Sequence, residues 1–498
     1  MITNVLDYLE ETVSQHPSSV AIEDEFNSVT FQNLKDNAIK LSGHLIDSGL
    51  RPGQPVAVFM PKSVKAIEAF LGILYAGGFY IPLDISNPTS RIDSILKNIE
   101  PKFIIAEDKH LHSLSSIYDD SCFVDMERVT DSSFSTNFAA LIDTDPAYCI
   151  NTSGSTGTPK GVLINHRSII DYIDWAKETY AVSHSEVIGS QAPFYFDNST
   201  LDIYLMLATG AKLVLIPDEK FTYPYKLIEY LNDAEINFIF WVPSVLVNVA
   251  NLDVFSKLKP NSLSKILFAG EVMPNKHLNY WRKALPSVLF SNLYGPTEIT
   301  VDCTYYIVDR DFADDDALPI GIACGNSDVF LIDKDDHTVI DGDIGELCVR
   351  GSSLALGYYN NPGQTKIAFT SNPLNKFYSE IIYRTGDLAF RNKLGEFIYV
   401  GRKDTQIKHM GYRIEMGEIE SAIVSTQGVD NACVIYIEDE KKIIVFYVGS
   451  IEFRDVRKAM MTRIPRYMIP SKWFQLDELP LSKNGKIDRL ALKSSYCG

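Results

Sequence analysis

No apolar stretch in this 498-residue chain reaches the length of a membrane span. The start, MITNVLDYLEETVSQHP, is acidic and has no basic region ahead of an apolar run, so it does not read as a secretory signal. Cysteine is sparse: seven residues, at 122, 149, 303, 324, 348, 433 and 497, with no metal-ligand spacing. That pattern argues against a zinc site or a disulfide scaffold, and an odd, dispersed count suits a reducing cytoplasm. Positive charge is also short, with 46 Lys+Arg against 64 Asp+Glu and a net charge of −18. This argues against nucleic acid and anionic membrane as partners. There is no sequence repeat, heptad run or low-complexity segment. What is present is length enough for two or more domains, with ordinary apolar content and a large core.

The charge is uneven. From Lys403 onward the chain carries 15 Lys+Arg and 13 Asp+Glu, a net of +2, so the rest carries −20. A basic tail domain suggests an acidic partner; ordinary surface variation is the other reading. Ser63 to Ala76 reads as a helix with Val64, Ile67, Phe70, Leu71 and Leu74 on one face, Ser63 as cap and Gly77-Gly78 as terminator. The runs Val56–Met60, Lys212–Ile216, Ile236–Val242 and Lys265–Ala269 read as buried strands separated by helices, which predicts parallel sheets covered by helices. Residues 311–316, DFADDD, read as an exposed acidic loop. After Gly401 the pattern changes to a small α+β unit: a helix over Glu418–Thr426, strands over Cys433–Ile437 and Ile443–Val448, and a helix around Phe453–Thr462.

Residues 152–161 read TSGSTGTPKG and follow the strand-like Ala147, Tyr148, Cys149, Ile150. A glycine- and hydroxyl-rich loop at a strand exit can turn its N–H groups toward a polyphosphate. It is not a Walker loop, because Lys160 is not followed by Ser or Thr. A flexible linker is the alternative.

Further motifs follow in order: LYAGGFYIPLD at 74–84, FDNS at 196–199, YGPTE at 294–298, GELCVRG at 345–351, YRTGD at 383–387, GRKDTQIKHMGYRIE at 401–415 and NGKIDR at 484–489. With the loop, they make the chain resemble the adenylate-forming family nearly end to end, and QIKHMGYRIE and NGKIDR point to its amino-acid-activating branch. The resemblance implies an α/β fold: a large N-terminal domain of parallel sheets covered by helices plus a small distorted barrel, over residues 1–402, and a small mobile α+β lid over 403–498. It implies that a carboxylate attacks the α-phosphorus of ATP and that a thiol then displaces AMP.

It also implies roles. Thr152, Ser153, Gly154, Ser155, Thr156, Gly157 and Lys160 would hold the β- and γ-phosphates. Tyr294 would stack on adenine, Asn292 would read its edge, Thr297 would reach the α-phosphate and Glu298 would hold Mg²⁺, an ion served by few oxygen ligands. Gly270 and Glu271 fall on the ATP side of the site. Asp387 would accept the ribose hydroxyls, with Arg402 near ribose and phosphate. Lys486 would stabilise charge at the reacting phosphorus, Asp404 would be the hinge, and Gly411 would enter on rotation to form a thiol tunnel. Bland alternatives stand beside these: a helix-start carboxylate for Glu298, a turn for Asp387, a solvated lysine for Lys486.

On the substrate side, Asp197 would pair with an α-ammonium; capping a helix over 198–208 is its other reading. Asn198, Leu201, Phe240, Leu267, Ala269, Leu293, Val301 and Asp302 match the side-chain pocket. The aliphatic members resemble the pockets of L-prolyl ligases that load a carrier protein, while Asn198 and Asp302 depart from them, and Asp302 would suit a polar or hydroxylated side chain. D-Alanyl–carrier protein ligases and acyl- or aryl-CoA ligases are the rivals. The chain ends 12 residues after Lys486 without a serine-bearing carrier helix, so the thiol is expected on a separate phosphopantetheine carrier protein or on coenzyme A.

Overall fold

The computed structural model describes residues 2–107, 122–126, 129, 140–154, 159–403, 406–438, 440–480 and 487–497. The chain packs as two units. The first comprises Met1–Asp84, Pro101–Ile150 and Gly161–Lys403; the second comprises Ile85–Glu100, Asn151–Lys160 and Asp404–Gly498.

Two sheets organise the first unit. A nine-stranded sheet runs Ile322–Ala323, Thr304–Ile307, Leu289–Tyr294, Lys265–Phe268, Phe238–Trp241, Val187–Ser190, Lys212–Leu215, Val20–Glu23, Ser28–Thr30. Its centre is parallel and its two ends are antiparallel. A seven-stranded sheet contains Pro55–Phe59, Phe79–Pro82, Phe103–Ala106 and Pro146–Thr152 in parallel. A smaller antiparallel sheet is built on Ser327–Ile332, Gly345–Gly351, Ile381–Arg391 and Phe397–Arg402. The antiparallel edge strands are short, which limits the unpaired edge they present.

The helix Val64–Tyr75 shows why local sequence succeeds. Ser63 is extended and its side chain accepts from the Ala66 N–H at 3.3 Å, satisfying one of the first-turn donors. Every residue of this helix except Lys65 is buried. Each fully buried Leu, Ile or Phe adds roughly 1.5–3 kcal/mol, so packing holds the helix more than propensity does.

The second unit contains the hairpin Gln406–His409/Tyr412–Glu415, the helices Met416–Val424 and Phe453–Met460, and a sheet of Val429–Ile437, Lys442–Gly449 and Lys472–Gln475. Met410 and Gly411 turn the hairpin with φ of 53° and 83°, the twist a two-residue hairpin favours. The helix Thr89–Ile99 and the stretch Asn151–Lys160 belong to the same unit.

Candidate functional site

The parallel strands Phe238–Trp241, Lys265–Phe268 and Leu289–Tyr294 end at a common edge, where α/β sheets place ligands. Strand Leu289–Tyr294 delivers Asn292 and Tyr294. Asn292 is buried and its Nδ2 donates to the Pro319 carbonyl at 2.8 Å. The Tyr294 hydroxyl donates to Asp387. On the other side of the carboxylate, Arg402 Nη1 reaches Asp387 Oδ1 at 2.8 Å, and Arg402 Nη2 donates to the Thr385 carbonyl at 3.2 Å. Cross-strand register sets this pair, since Asp387 lies opposite Arg402. Tyr294, Asp387 and Arg402 are therefore one cluster. Burial and the adjacent Asp387 charge push the Tyr294 hydroxyl well above its usual pKa, so it stays a donor. Gly270 takes a φ of +94°, and Glu271 accepts from the Ser244 N–H at 3.0 Å, at the start of the helix Pro243–Asn251.

Residues 295–303 form a doubled-back loop. A Cβ on Gly295 would lie 2.3 Å from the Val301 carbonyl oxygen and 2.5 Å from Asp302 Cα, so only glycine fits. The 3-10 turn Thr297–Ile299 is followed by Thr300 and Val301 at φ of 60° and 73°. Positive φ in two β-branched residues is strained, at roughly 1–3 kcal/mol each. The return is placement. Glu298 is fully buried and accepts from the Tyr358 hydroxyl at 2.7 Å, and Thr297 is buried beside it in the chain. Asp302, also buried, accepts from the Tyr172 hydroxyl at 2.7 Å.

The helix Asn198–Thr209 begins at Asp197, whose backbone is helical and whose side chain makes no capping hydrogen bond. The capping explanation for this carboxylate therefore fails. Asp197 instead acts electrostatically on the buried Tyr148 hydroxyl, which accepts from Thr200 Oγ1 at 3.1 Å. Leu201, Phe240, Leu267, Ala269, Leu293 and Val301 all belong to one buried apolar cluster, and Phe240 pairs directly with Leu267. These six residues come from the helix Asn198–Thr209, three neighbouring parallel strands, and the chain just after Phe268 and after Ile299. Asn198 is half-buried, and its Nδ2 has no hydrogen-bond partner among the described residues.

In the second unit, Thr152, Ser153 and Gly154 are buried, and Thr152 Oγ1 donates to the Lys160 carbonyl at 3.4 Å. Lys160 opens the strand Lys160–Asn165. Ser155, Thr156, Gly157, Asp404 and Lys486 lie outside the described residues. Among the described residues no group of three or more His, Cys, Asp or Glu side chains is placed to hold a metal. Magnesium held by one carboxylate and by substrate phosphates needs no such group, and the buried Glu298 carboxylate is of the right chemistry.

Tyr358, Tyr172, Arg91 and Glu418 were not singled out by sequence. A lone tyrosine, or an arginine within a polar helical run, carries no distinguishing pattern; each is identified only by a buried carboxylate or cation far away in the chain.

The family of AMP-binding enzymes matches residues 9–359, and the AMP-binding enzyme C-terminal domain matches residues 418–486. Zwittermicin A synthase ZmaJ of Bacillus cereus is 33% identical, over 99% of this chain and 95% of its own length. Tyrocidine synthase 3 of Brevibacillus parabrevis is 33% identical over 97% of this chain, which spans only 8% of that protein. Among solved structures, holo-PA1221, a nonribosomal peptide synthetase (NRPS) protein containing adenylation and PCP domains, superposes with a TM-score of 0.86 at 25% identity, covering 99% of this chain and 84% of that one. The o-succinylbenzoate CoA synthetase of Bacillus subtilis shares the fold, with a TM-score of 0.87 at 19% identity over 99% and 98% of the two chains. Matched by this family model over well over half its length, and aligned nearly end to end with a 33% identical relative, the chain belongs to the AMP-binding, adenylate-forming enzymes, with homologues among nonribosomal peptide synthetase adenylation units.

Proposed function

We propose that this ligase activates an α-amino acid as its aminoacyl-adenylate and passes the acyl group to the phosphopantetheine thiol of a carrier protein. The observation that carries this is Asp197: a carboxylate at the head of a helix it does not cap, about one turn before Leu201 of the apolar cluster. A fatty or aryl acid has no charge for it to meet; an α-ammonium does. The names of the relatives and the PCP domain of PA1221 support the same class.

In the first half-reaction two anions meet, so positive charge and dipoles must be in place beforehand. Asp387, fixed by Tyr294 and Arg402, would accept the ribose hydroxyls. Thr297 would donate to the α-phosphate, and Lys486 would face the developing charge at phosphorus. Glu298 would hold Mg²⁺, which supplies charge neutralisation to the phosphates. Residues 152–157 and Lys160 would hold the leaving pyrophosphate, and rotation about Asp404 would then exchange Lys486 for the hairpin carrying Gly411.

L-Proline is the proposed substrate. Leu201, Phe240, Leu267, Leu293 and Val301, all buried in one apolar cluster, would form a compact wall, and Asp197 would accept both N–H bonds of a secondary ammonium. A ring in place of a methyl adds two buried methylenes at ~0.8 kcal/mol each. The test is ATP–pyrophosphate exchange across the amino acids in both enantiomers, with fatty and aryl acids included. Exchange should be highest with L-proline and at least tenfold lower with alanine. A maximum with D-alanine, or with a fatty or aryl acid, would overturn the reading. A maximum with serine or hydroxyproline would replace proline and show that Asp302 faces the substrate.

A further inference from the structure

Arg91 and Glu418 form an ion pair whose side chains are 8% and 1% exposed. Arg91 lies in the first turn of the helix Thr89–Ile99, and Glu418 in the first turn of Met416–Val424. Burial raises the Glu418 carboxyl pKa, while the Arg91 guanidinium and the backbone N–H of Gly154 pull it down. One residue earlier in the phosphate-loop stem, the Ser153 hydroxyl donates to the Arg413 carbonyl at 2.8 Å and accepts from the Glu415 N–H at 3.1 Å. Nearby, the Ser90 hydroxyl donates to the Thr462 carbonyl at 2.8 Å.

A hydroxyl has one proton to give, and so has a backbone N–H. Ser153 cannot donate to a phosphate oxygen while it donates to Arg413, and Gly154 cannot serve a phosphate while it serves Glu418. The Glu418 carboxylate is itself an anion held beside the Gly154 N–H, and Arg91 neutralises it. A polyphosphate beside Glu418 would also face like-charge repulsion.

We propose that Arg91 and Glu418 are positioning residues which clasp the phosphate-loop stem only after pyrophosphate has left, so that they serve the thiol-transfer half-reaction and not adenylation. The inference rests on the adenylation reading for its two half-reactions, but not for its exclusion of phosphate.

The experiment has two arms. In the first, Glu418→Gln, Arg91→Ala and Arg91→Lys are compared with the unaltered enzyme. Pyrophosphate exchange should stay within twofold, while transfer from preformed aminoacyl-adenylate to a phosphopantetheine thiol falls at least tenfold in Glu418→Gln and Arg91→Ala and recovers partly in Arg91→Lys. Equal losses in both half-reactions would reduce the pair to structural support and overturn the proposal. In the second arm, hydrogen exchange at the Glu415 amide is followed in the unaltered protein with AMP or with magnesium pyrophosphate. It should run at least tenfold faster with pyrophosphate, and an unchanged rate would overturn the proposal even if the variants fail to fold. If no acid supports exchange but the Glu415 amide still responds, the adenylation reading falls and the clasp stands.

Discussion

A carboxylate taken out of water depends on the few donors around it, and Asp387 has Tyr294 and Arg402. Arg402→Ala removes one partner of a pair whose side chains are 10% and 3% exposed, a loss of about 3–5 kcal/mol by the general behaviour of buried pairs. Chemical denaturation should show this as a lowered midpoint, and the apparent KM for ATP should rise with it. Asp197→Ala should behave differently: amino acid activation collapses, while exchange with cyclopentanecarboxylate, which lacks the ammonium, falls far less. Equal losses would take Asp197 out of the site. His166 gives a pH prediction. It is fully buried, its Nδ1 accepts from the Val5 N–H at 3.3 Å, and burial holds its pKa down to about 4. The folded state therefore binds fewer protons than the unfolded one between about pH 4 and 6.5. This contribution is present above the unfolded value and is lost as pH falls through that window, on the order of 3 kcal/mol in all. His166→Gln should flatten the stability–pH curve there; an unchanged slope would assign acid lability elsewhere.

Elements were legible wherever the signal is local. Ser63 caps its helix as its residue type and spacing imply, and Ser63→Ala should cost ~1 kcal/mol, read as a shift in the denaturation midpoint. The strands expected over Val56–Met60, Lys212–Ile216, Ile236–Val242 and Lys265–Ala269 form as Pro55–Phe59, Lys212–Leu215, Phe238–Trp241 and Lys265–Phe268, because short apolar runs between helices have no stable place but a buried sheet. Phe240 and Leu267 of these strands share one buried apolar cluster with Leu201, Ala269, Leu293 and Val301. Pairings across the chain were not legible. Tyr172 and Asp302 are 130 residues apart and Arg91 and Glu418 are 327 apart, and periodicity reports which face of an element is apolar, not which distant group will meet it. The left-handed backbone at Thr300 and Val301 was also hidden, since β-branched residues argue against that conformation and only the loop's closure on Gly295 imposes it.

At the scale of the whole molecule, two chemistries are proposed to share one set of residues in turn, so variants should separate them. Asp404→Pro fixes φ and removes a donor at the proposed hinge. Pyrophosphate exchange should remain near normal while transfer to the thiol fails; survival of both would move the hinge. The second unit adds a constraint of its own, because it is assembled from three separated stretches of chain, Ile85–Glu100, Asn151–Lys160 and Asp404–Gly498. A chimera that borrows only the C-terminal stretch from a relative imports a carboxylate and a hairpin shaped for someone else's arginine and serine. Recombination boundaries drawn at a single point near residue 404 are therefore poorly chosen, and transplanting all three stretches together should give the better-expressed, more heat-resistant hybrid.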